Sequence, residues 1–192
     1  MADISMDLLS QVVRIARKAG EEILAIYDTE IEVEYKGDES PLTQADKSSN
    51  DVIVKALEKL EPAYPVLSEE GKAIPFEQRK TWKRYWLIDP LDGTKEFIKK
   101  NGEFTVNIAL IENGQAILGV VYAPVLDVCY YAASGIGAYK QTSELDPAHI
   151  SVRRYQVGDV WNVVASRSHL SAETEALVGK LGSSEFVSMG SS

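Results

Sequence analysis

Two carboxylates three residues apart, Asp89 and Asp92, are the residues whose chemistry stands out most in this sequence. They follow the apolar run 86–88, which is typical of a buried strand that ends at Asp89. Gly93 and Thr94 come next, so such a strand delivers both acids and a hydroxyl to one place. Mg²⁺ and Ca²⁺ take oxygen ligands, and Mg²⁺ is usually held by one or two carboxylates plus substrate phosphate. The pattern predicts a site for a hard cation, although Asp, Pro and Gly also dominate plain turns.

Two further acids stand at the ends of predicted elements. Asp46 comes three residues after Thr43, close to a capping-box arrangement at the start of a helix. Glu69 follows the short apolar strand 64–67. Taken alone, Asp46 is better interpreted as a helix-capping acid and Glu69 as part of a solvated turn.

Other catalytic chemistries lack their residues. The sequence has no phosphate-binding Gly-x-x-x-x-Gly-Lys-Ser/Thr loop, no Gly-x-Gly-x-x-Gly fingerprint and no Gly-x-Ser-x-Gly elbow. His149 and His169 lack the His-Glu-x-x-His zinc spacing, and Cys129 lacks the downstream arginine of a cysteine phosphatase. Oxygen ligands around Mg²⁺ remain as the most complete site.

The composition narrows the class of partner. A net charge of −9 argues against a nucleic-acid polymer, because proteins that bind one generally carry basic patches. A small anionic substrate stays compatible, since bound divalent cations reverse the local sign. The single cysteine, Cys129, rules out an intramolecular disulfide.

The sequence shows no targeting or membrane segment. Its first residues lack the basic and apolar regions of a secretory signal. No apolar run reaches the roughly 18 residues that a transmembrane helix needs. We expect no transmembrane segment and a reducing, cytoplasmic location. The alternative is a peripheral position at the inner membrane.

The hydrophobic pattern predicts an α+β fold, because two amphipathic helices precede an antiparallel meander. Asn113-Gly114 is a strong signal for a hairpin turn. The predicted helices are 6–27, 43–60 and 171–181, with a short one over 76–83, and the predicted strands are 31–35, 64–67, 86–88, 104–111, 116–122, 128–132 and 161–165.

Three motifs together resemble the inositol-monophosphatase superfamily of Mg²⁺-dependent, lithium-sensitive phosphatases. They are Thr43-Gln-Ala-Asp46, Leu67-Ser-Glu-Glu70 and Asp89-Pro-Leu-Asp-Gly-Thr94, in the order and at the spacing of that family. Lys95-Glu96, where inositol monophosphatases tend to have Thr-Asn, resembles the bacterial 3′(2′),5′-bisphosphate nucleotidase branch. The segments 101–110, 119–124 and 166–169 resemble the same branch.

The resemblance implies a layered αβαβα sugar-phosphatase fold. Residues 1–155 are then an N-terminal α+β domain that carries the metal motifs, and 156–192 are the start of a C-terminal α/β domain. Family members continue beyond Ser192, so we expect this chain to be C-terminally truncated, without one further metal-ligating aspartate and the residues that contact the base.

Residue roles follow from the resemblance, position by position. Two or three Mg²⁺ ions would be held by Glu69, Asp89, Asp92 and the Leu91 carbonyl. Asp46 and Thr94 match the pair that orients and deprotonates the attacking water. Glu70 would either assist as an acid next to the metal ligands or belong to a solvated turn. The substrate contacts would be Glu69, Leu91, Asp92, Gly93, Thr94, His169 and Ser191. The backbone amides near Gly93 and Thr94 would hold the scissile phosphate.

The implied reaction is hydrolysis of the 3′-phosphate of adenosine 3′,5′-bisphosphate, and of its sulfated form, to AMP and phosphate in sulfur metabolism. One alternative is an inositol or sugar monophosphatase of the same superfamily. Another is an inactive, truncated fragment that binds metal or a partner. The sequence leaves a homodimer open.

Overall fold

The computed structural model describes residues 4–30, 32–35, 37, 41–156, 158–166 and 172–189. The helices are α1 (Met6–Tyr27), α2 (Gln44–Leu57), α3 (Phe76–Arg79), α4 (Thr94–Ile98) and α5 (Ala172–Val178). The strands are β1 (Val33–Tyr35), β2 (Pro41–Thr43), β3 (Val66–Ser68), β4 (Arg84–Asp92), β5 (Thr105–Glu112), β6 (Gln115–Ala123), β7 (Val128–Ala133), β8 (Gly137–Gln141), β9 (Ala148–Ile150), β10 (Trp161–Ser166) and β11 (Ser184–Met189).

A seven-stranded sheet in the order β3-β4-β5-β6-β7-β8-β9 is the centre of the fold. β3 runs parallel to β4, and the remaining neighbours pair antiparallel. β1 and β2 form a small antiparallel pair, and β10 pairs with β11 in parallel. This arrangement confirms the α+β prediction.

The core lies between this sheet and the first two helices. Apolar residues recur along α1 at steps of three and four, which gives one buried face. The alternating inward positions of β4, β5 and β6 supply the other side of the core. The most deeply buried large side chains include Leu9, Val12, Ile23, Ile53, Leu57, Trp86, Val106, Ile108, Leu110 and Leu118.

Gly20 explains how closely α1 approaches the sheet. A Cβ atom at this position would lie 2.5 Å from the ring of Tyr122 in β6. Glycine weakens a helix interior, but here its missing side chain makes room for the tyrosine. Substitution would force the Tyr122 ring or α1 to move.

An aromatic cluster fixes the position of α4. The rings of Tyr27 and Phe97 have centroids 5.2 Å apart, and Phe104 lies 5.1 Å from Tyr27 and 5.3 Å from Phe97. Edge and tilted contacts of this kind add stability beyond the buried area. The cluster joins the end of α1 to the segment that directly follows the two acids.

The local predictions hold best where the pattern is strongest. α1 has the predicted bounds, and the hairpin of β5 and β6 turns at Asn113 and Gly114, both with positive φ. Tight two-residue hairpins require that conformation. β2, α4, β8, β9 and β11 were not predicted.

Several predicted boundaries are wrong. The strand predicted at 64–67 is Val66–Ser68, and the helix predicted to end at residue 181 ends at Val178. The second helix ends at Leu57 rather than at residue 60, because residues 58–60 turn back with hydrogen bonds to the last turn. The predicted helix 76–83 stops at Arg79, and residues 80–83 form a turn that leads into β4. The strand at 86–88 does not end at Asp89 but continues, irregularly, to Asp92.

Cys129 is a buried core residue, as predicted. Burial raises the pKa of its thiol to about 12, so the reactive thiolate is disfavoured.

Among the described residues, the helices are either too short or too polar to cross a bilayer.

An ion pair ties α1 to the turn between β6 and β7. Nη1 of Arg17 donates to Oδ1 of Asp127 at 2.8 Å, and the Ser143 amide donates to Oδ2 at 2.6 Å. Burial opposes ionisation, but these hydrogen bonds outweigh it and lower the pKa of Asp127 to about 2.

We expect Asp127→Asn to destabilise the protein by about 1 kcal/mol at neutral pH. This is less than the lowered pKa alone would imply, because water screens the partly exposed carboxylate. A carboxyl with a lowered folded pKa stabilises above its unfolded pKa, and that stabilisation is lost as the pH falls toward about 2. Urea unfolding at several pH values should therefore show the variant and wild type converging in acid. Asp51→Asn, which breaks the exposed pair with Lys55, is the control and should change little. A pH-independent difference for Asp127→Asn would contradict this assignment.

Candidate active site

A β-bulge in β4 places Asp89 and Asp92 on the same face of the sheet. Asp89 pairs with Asn107 of β5 and Asp92 pairs with Thr105, so three steps along β4 match two along β5. Side chains alternate along a regular strand, and acids three residues apart would point to opposite faces. The extra residue of the bulge brings both acids to one side.

The second helix holds this bulge in place. The Ser49 hydroxyl, fully buried on α2, donates to the Pro90 carbonyl between the two acids at 2.7 Å. Ser68, at the end of β3, donates to Oδ1 of Asn50 at 2.6 Å. Both strand ends that carry acids are thus anchored to the same helix.

Glu69 lies beside Asp89 where β3 ends. Its backbone amide donates to the Ile88 carbonyl at 3.1 Å, which continues the parallel register of β3 and β4. A cavity of about 460 Å³ opens over this face and is lined by both acids and by Asn107. The apolar side chains and glycine that complete its lining include Leu67, Leu87, Ala109, Gly119 and Val121.

Negative charge is concentrated at Asp89. Burial is the main cause that raises the pKa of Asp89 to about 7, and repulsion from Glu69 and then Asp92 adds to it. A hydrogen bond with Glu69 acts in the same direction, while one from the Leu91 backbone opposes it. A bound cation would remove this repulsion.

The donor set fits a hard cation. Carboxylate and carbonyl oxygens are the ligands that Mg²⁺ and Ca²⁺ prefer, and Glu69, Asp89 and Asp92 supply the carboxylates. In the described part of the chain, no three His, Cys, Asp or Glu side chains already form a closed metal site. Carboxylates in one cleft repel one another until a cation lies between them. The predicted ligands, with the Leu91 carbonyl, therefore stay a prediction.

Asp46 serves two partners with its two oxygens. Oδ2 accepts from the Thr43 amide at 2.7 Å and from the Thr43 hydroxyl at 2.5 Å, which completes the capping box of α2. Oδ1 accepts from the Thr94 hydroxyl at 3.1 Å. We call residues 89–93 the acid loop. The sequence suggests capping and catalysis as alternatives for Asp46, but in the structure one fully buried carboxylate both caps α2 and contacts Thr94, which follows the acid loop.

Gly93 makes the turn from the acid loop into α4. Its φ of 93° lies in the left-handed region, which a residue with a Cβ rarely adopts. The turn brings the Thr94 hydroxyl within 3.3 Å of the Leu91 carbonyl as well as close to Asp46. That the amides of Gly93 and Thr94 hold phosphate stays a prediction.

Comparison with known proteins identifies the family. The model of the inositol monophosphatase family matches residues 6–192. The chain belongs to the inositol monophosphatase family. Among curated proteins it is 50% identical over 189 residues to the 3′(2′),5′-bisphosphate nucleotidase CysQ of Salmonella typhimurium, covering 96% of this chain and 74% of that protein. It is 36% identical to the protein of the same name from Aggregatibacter actinomycetemcomitans, covering 100% of this chain and 71% of the relative.

Solved structures of the inositol monophosphatase family share this fold. CysQ from Bacteroides thetaiotaomicron superposes with a TM-score of 0.79 at 40% identity, covering 95% of this chain and 72% of that chain. The Thermotoga maritima IMPase gives a TM-score of 0.74 at 27% identity, with 97% and 69% covered. The family and nucleotidase branch predicted from the motifs are confirmed by these relatives.

Some predicted site residues of this family member lie outside the described residues. His169 and Ser191 are among them, so their contacts with substrate stay predictions. Glu70 is half-buried next to Glu69, and its amide donates to the Ser68 hydroxyl at 3.2 Å.

The sequence interpretation missed Asn107 as a site residue. It faces the acids from β5, directly opposite Asp89. The available signal was a polar amide in an otherwise apolar strand, on the face opposite to the buried Val106 and Ile108.

Proposed function

We propose that this phosphatase of the inositol monophosphatase family is Mg²⁺-dependent and hydrolyses the 3′-phosphate of adenosine 3′,5′-bisphosphate to AMP and phosphate. The observation that carries the proposal is the bulge that aligns Asp89 and Asp92 on one face, beside Glu69 and a cavity of about 460 Å³. The curated relatives named bisphosphate nucleotidases support the substrate class.

The acids Glu69, Asp89 and Asp92 would hold the cations, together with the Leu91 carbonyl. When bound, two or three Mg²⁺ ions supply a lowered pKa of water and stabilisation of the charge that develops on phosphate and leaving oxygen. The burial of Asp89 and its repulsion by Glu69 and Asp92 support this assignment, because a bound cation would compensate for both.

The Thr94–Asp46 pair positions the attacking water. Because the Thr94 hydroxyl donates its proton to Asp46, its oxygen lone pairs are left to accept a proton from water. Asp46 is fully buried, so it acts on water only through Thr94. The water oxygen bonds to phosphorus as the bond from phosphorus to the 3′-oxygen breaks, and the leaving oxygen takes up a proton from solvent.

The substrate contacts complete the proposal. The amides of Gly93 and Thr94 would bind the transferred phosphate, and His169 and Ser191 the remainder of the nucleotide.

The proposal extends to the sulfated nucleotide, to inhibition by lithium, to a cytoplasmic setting and to the domain boundary after residue 155.

Turnover of two phosphate esters tests the function. We expect kcat/KM for adenosine 3′,5′-bisphosphate to exceed that for inositol 1-phosphate by about tenfold or more, which corresponds to about 1.4 kcal/mol of selective binding. EDTA should abolish both activities and added Mg²⁺ should restore them. A preference for the inositol ester would move the protein to the inositol branch. A chain that binds Mg²⁺ but turns over neither ester would instead support the metal-binding fragment.

A further inference from the structure

We propose that Asn107, fixed by Thr105, is a positioning residue that orients the Asp92 carboxylate for cation binding. The inference rests on the proposed function, because it concerns the same cleft. It adds to the predicted site two residues of β5, neither of which carries charge.

The register of β4 and β5 places both residues next to the acids. Thr105 lies opposite Asp92 and Asn107 lies opposite Asp89, on the two sides of the bulge. Residues two apart on a strand share a face, so both side chains point where the acids point. Asn107 also lines the cavity with Asp89 and Glu69.

The Thr105 hydroxyl determines which end of the Asn107 amide faces the acids. Thr105 is 4% exposed, and its hydroxyl donates to Oδ1 of Asn107 at 3.2 Å. With the amide oxygen turned toward Thr105, the amide nitrogen turns toward Asp92 and lies 3.5 Å from Oδ2. An NH₂ group can only donate, so it attracts the carboxylate, whereas the oxygen would repel it.

This contact has a consequence for the cation. An amide that engages Oδ2 restricts the rotation of the Asp92 side chain and so fixes how its carboxylate faces the cleft. It also places a neutral donor among carboxylates that repel one another. Hydrogen-bond partners of metal ligands typically account for 10- to 100-fold in metal affinity or activity.

Three variants separate positioning from mere packing. Thr105→Val keeps the shape of the side chain but removes the hydroxyl that orients the amide. Thr105→Ser retains this hydroxyl. Asn107→Ala removes the amide itself at a half-buried position. The readout is the Mg²⁺ midpoint, which is the concentration that half-saturates the protein in a calorimetric titration at fixed temperature. It is measured together with kcat and KM for adenosine 3′,5′-bisphosphate at saturating Mg²⁺.

We expect Thr105→Val and Asn107→Ala to raise the Mg²⁺ midpoint by about tenfold, with Thr105→Ser within about threefold of wild type. KM for the nucleotide at saturating Mg²⁺ should change little. Midpoints equal to wild type in both variants, or a midpoint in Thr105→Ser as high as in Thr105→Val, would overturn the inference. If wild type itself shows neither Mg²⁺ binding in the titration nor turnover, the proposed function fails instead, which the same data distinguish.

Discussion

Asp89→Asn is expected to abolish turnover and, in the absence of divalent cations, to make the folded protein more stable. The two effects share one cause. Burial disfavours the charged form of Asp89, and repulsion from Glu69 and Asp92 adds to this, which raises the pKa of Asp89 to about 7. Above that pH its charge is costly without a cation, and an isosteric neutral amide removes the cost.

The size of the gain follows from the raised pKa. One pKa unit corresponds to about 1.4 kcal/mol, but the charge is shared among interacting acids, so we expect a gain of about 1 kcal/mol or more. Thermal unfolding in EDTA at about pH 8 should show a Tm a few degrees above that of wild type. With Mg²⁺ the order should reverse, because wild type gains from binding and the variant does not.

Glu144→Gln is the control for Asp89→Asn. It also neutralises one acid, but in an exposed loop between β8 and β9. It should leave the Mg²⁺-induced rise in Tm and the turnover as they are. If Asp89→Asn kept the wild-type response to Mg²⁺, Asp89 would not be a ligand.

The fold was predictable where the information is local. α1 shows its period over six turns, and Asn113-Gly114 identifies the hairpin without reference to the remaining chain. The parallel pairs of β3 with β4 and of β10 with β11 were not predicted, because they join segments about 20 residues apart through contacts that no local pattern encodes.

The site shows the same division. Asp89 and Asp92 are conspicuous in the sequence, but a regular strand would have separated them, and only the bulge unites them. Asp46 looked like a helix cap because it is one, and its second role depends on Thr94, 48 residues further along the chain. Asn107 was missed because the acid that it contacts, Asp92, comes from β4, so no local pattern in β5 connects its amide with the acids.

Thr94→Val is expected to lower kcat by about 10²- to 10⁴-fold, the usual contribution of a positioned proton acceptor, while leaving Mg²⁺ binding intact. The substitution keeps the shape and removes the hydroxyl that connects water to the buried Asp46. Asp46 stays tied to Thr43, so α2 keeps its cap, and the Ser49 hydroxyl still holds the Pro90 carbonyl between the two acids. One carboxylate oxygen loses a partner, for which we expect a stability loss of about 1–2 kcal/mol.

Two companion variants decide whether the loss of turnover comes from stability alone. Thr94→Ser retains the hydroxyl and should keep kcat within about tenfold of wild type. Ser5→Ala removes the side chain that caps α1 through the Leu8 amide, which should cost about 1 kcal/mol without lowering kcat. Equal losses of kcat in Thr94→Val and Ser5→Ala would mean that Thr94 acts only through folding. A raised Mg²⁺ midpoint in Thr94→Val would place Thr94 among the groups that hold the cation rather than the water, since its hydroxyl also lies 3.3 Å from the Leu91 carbonyl.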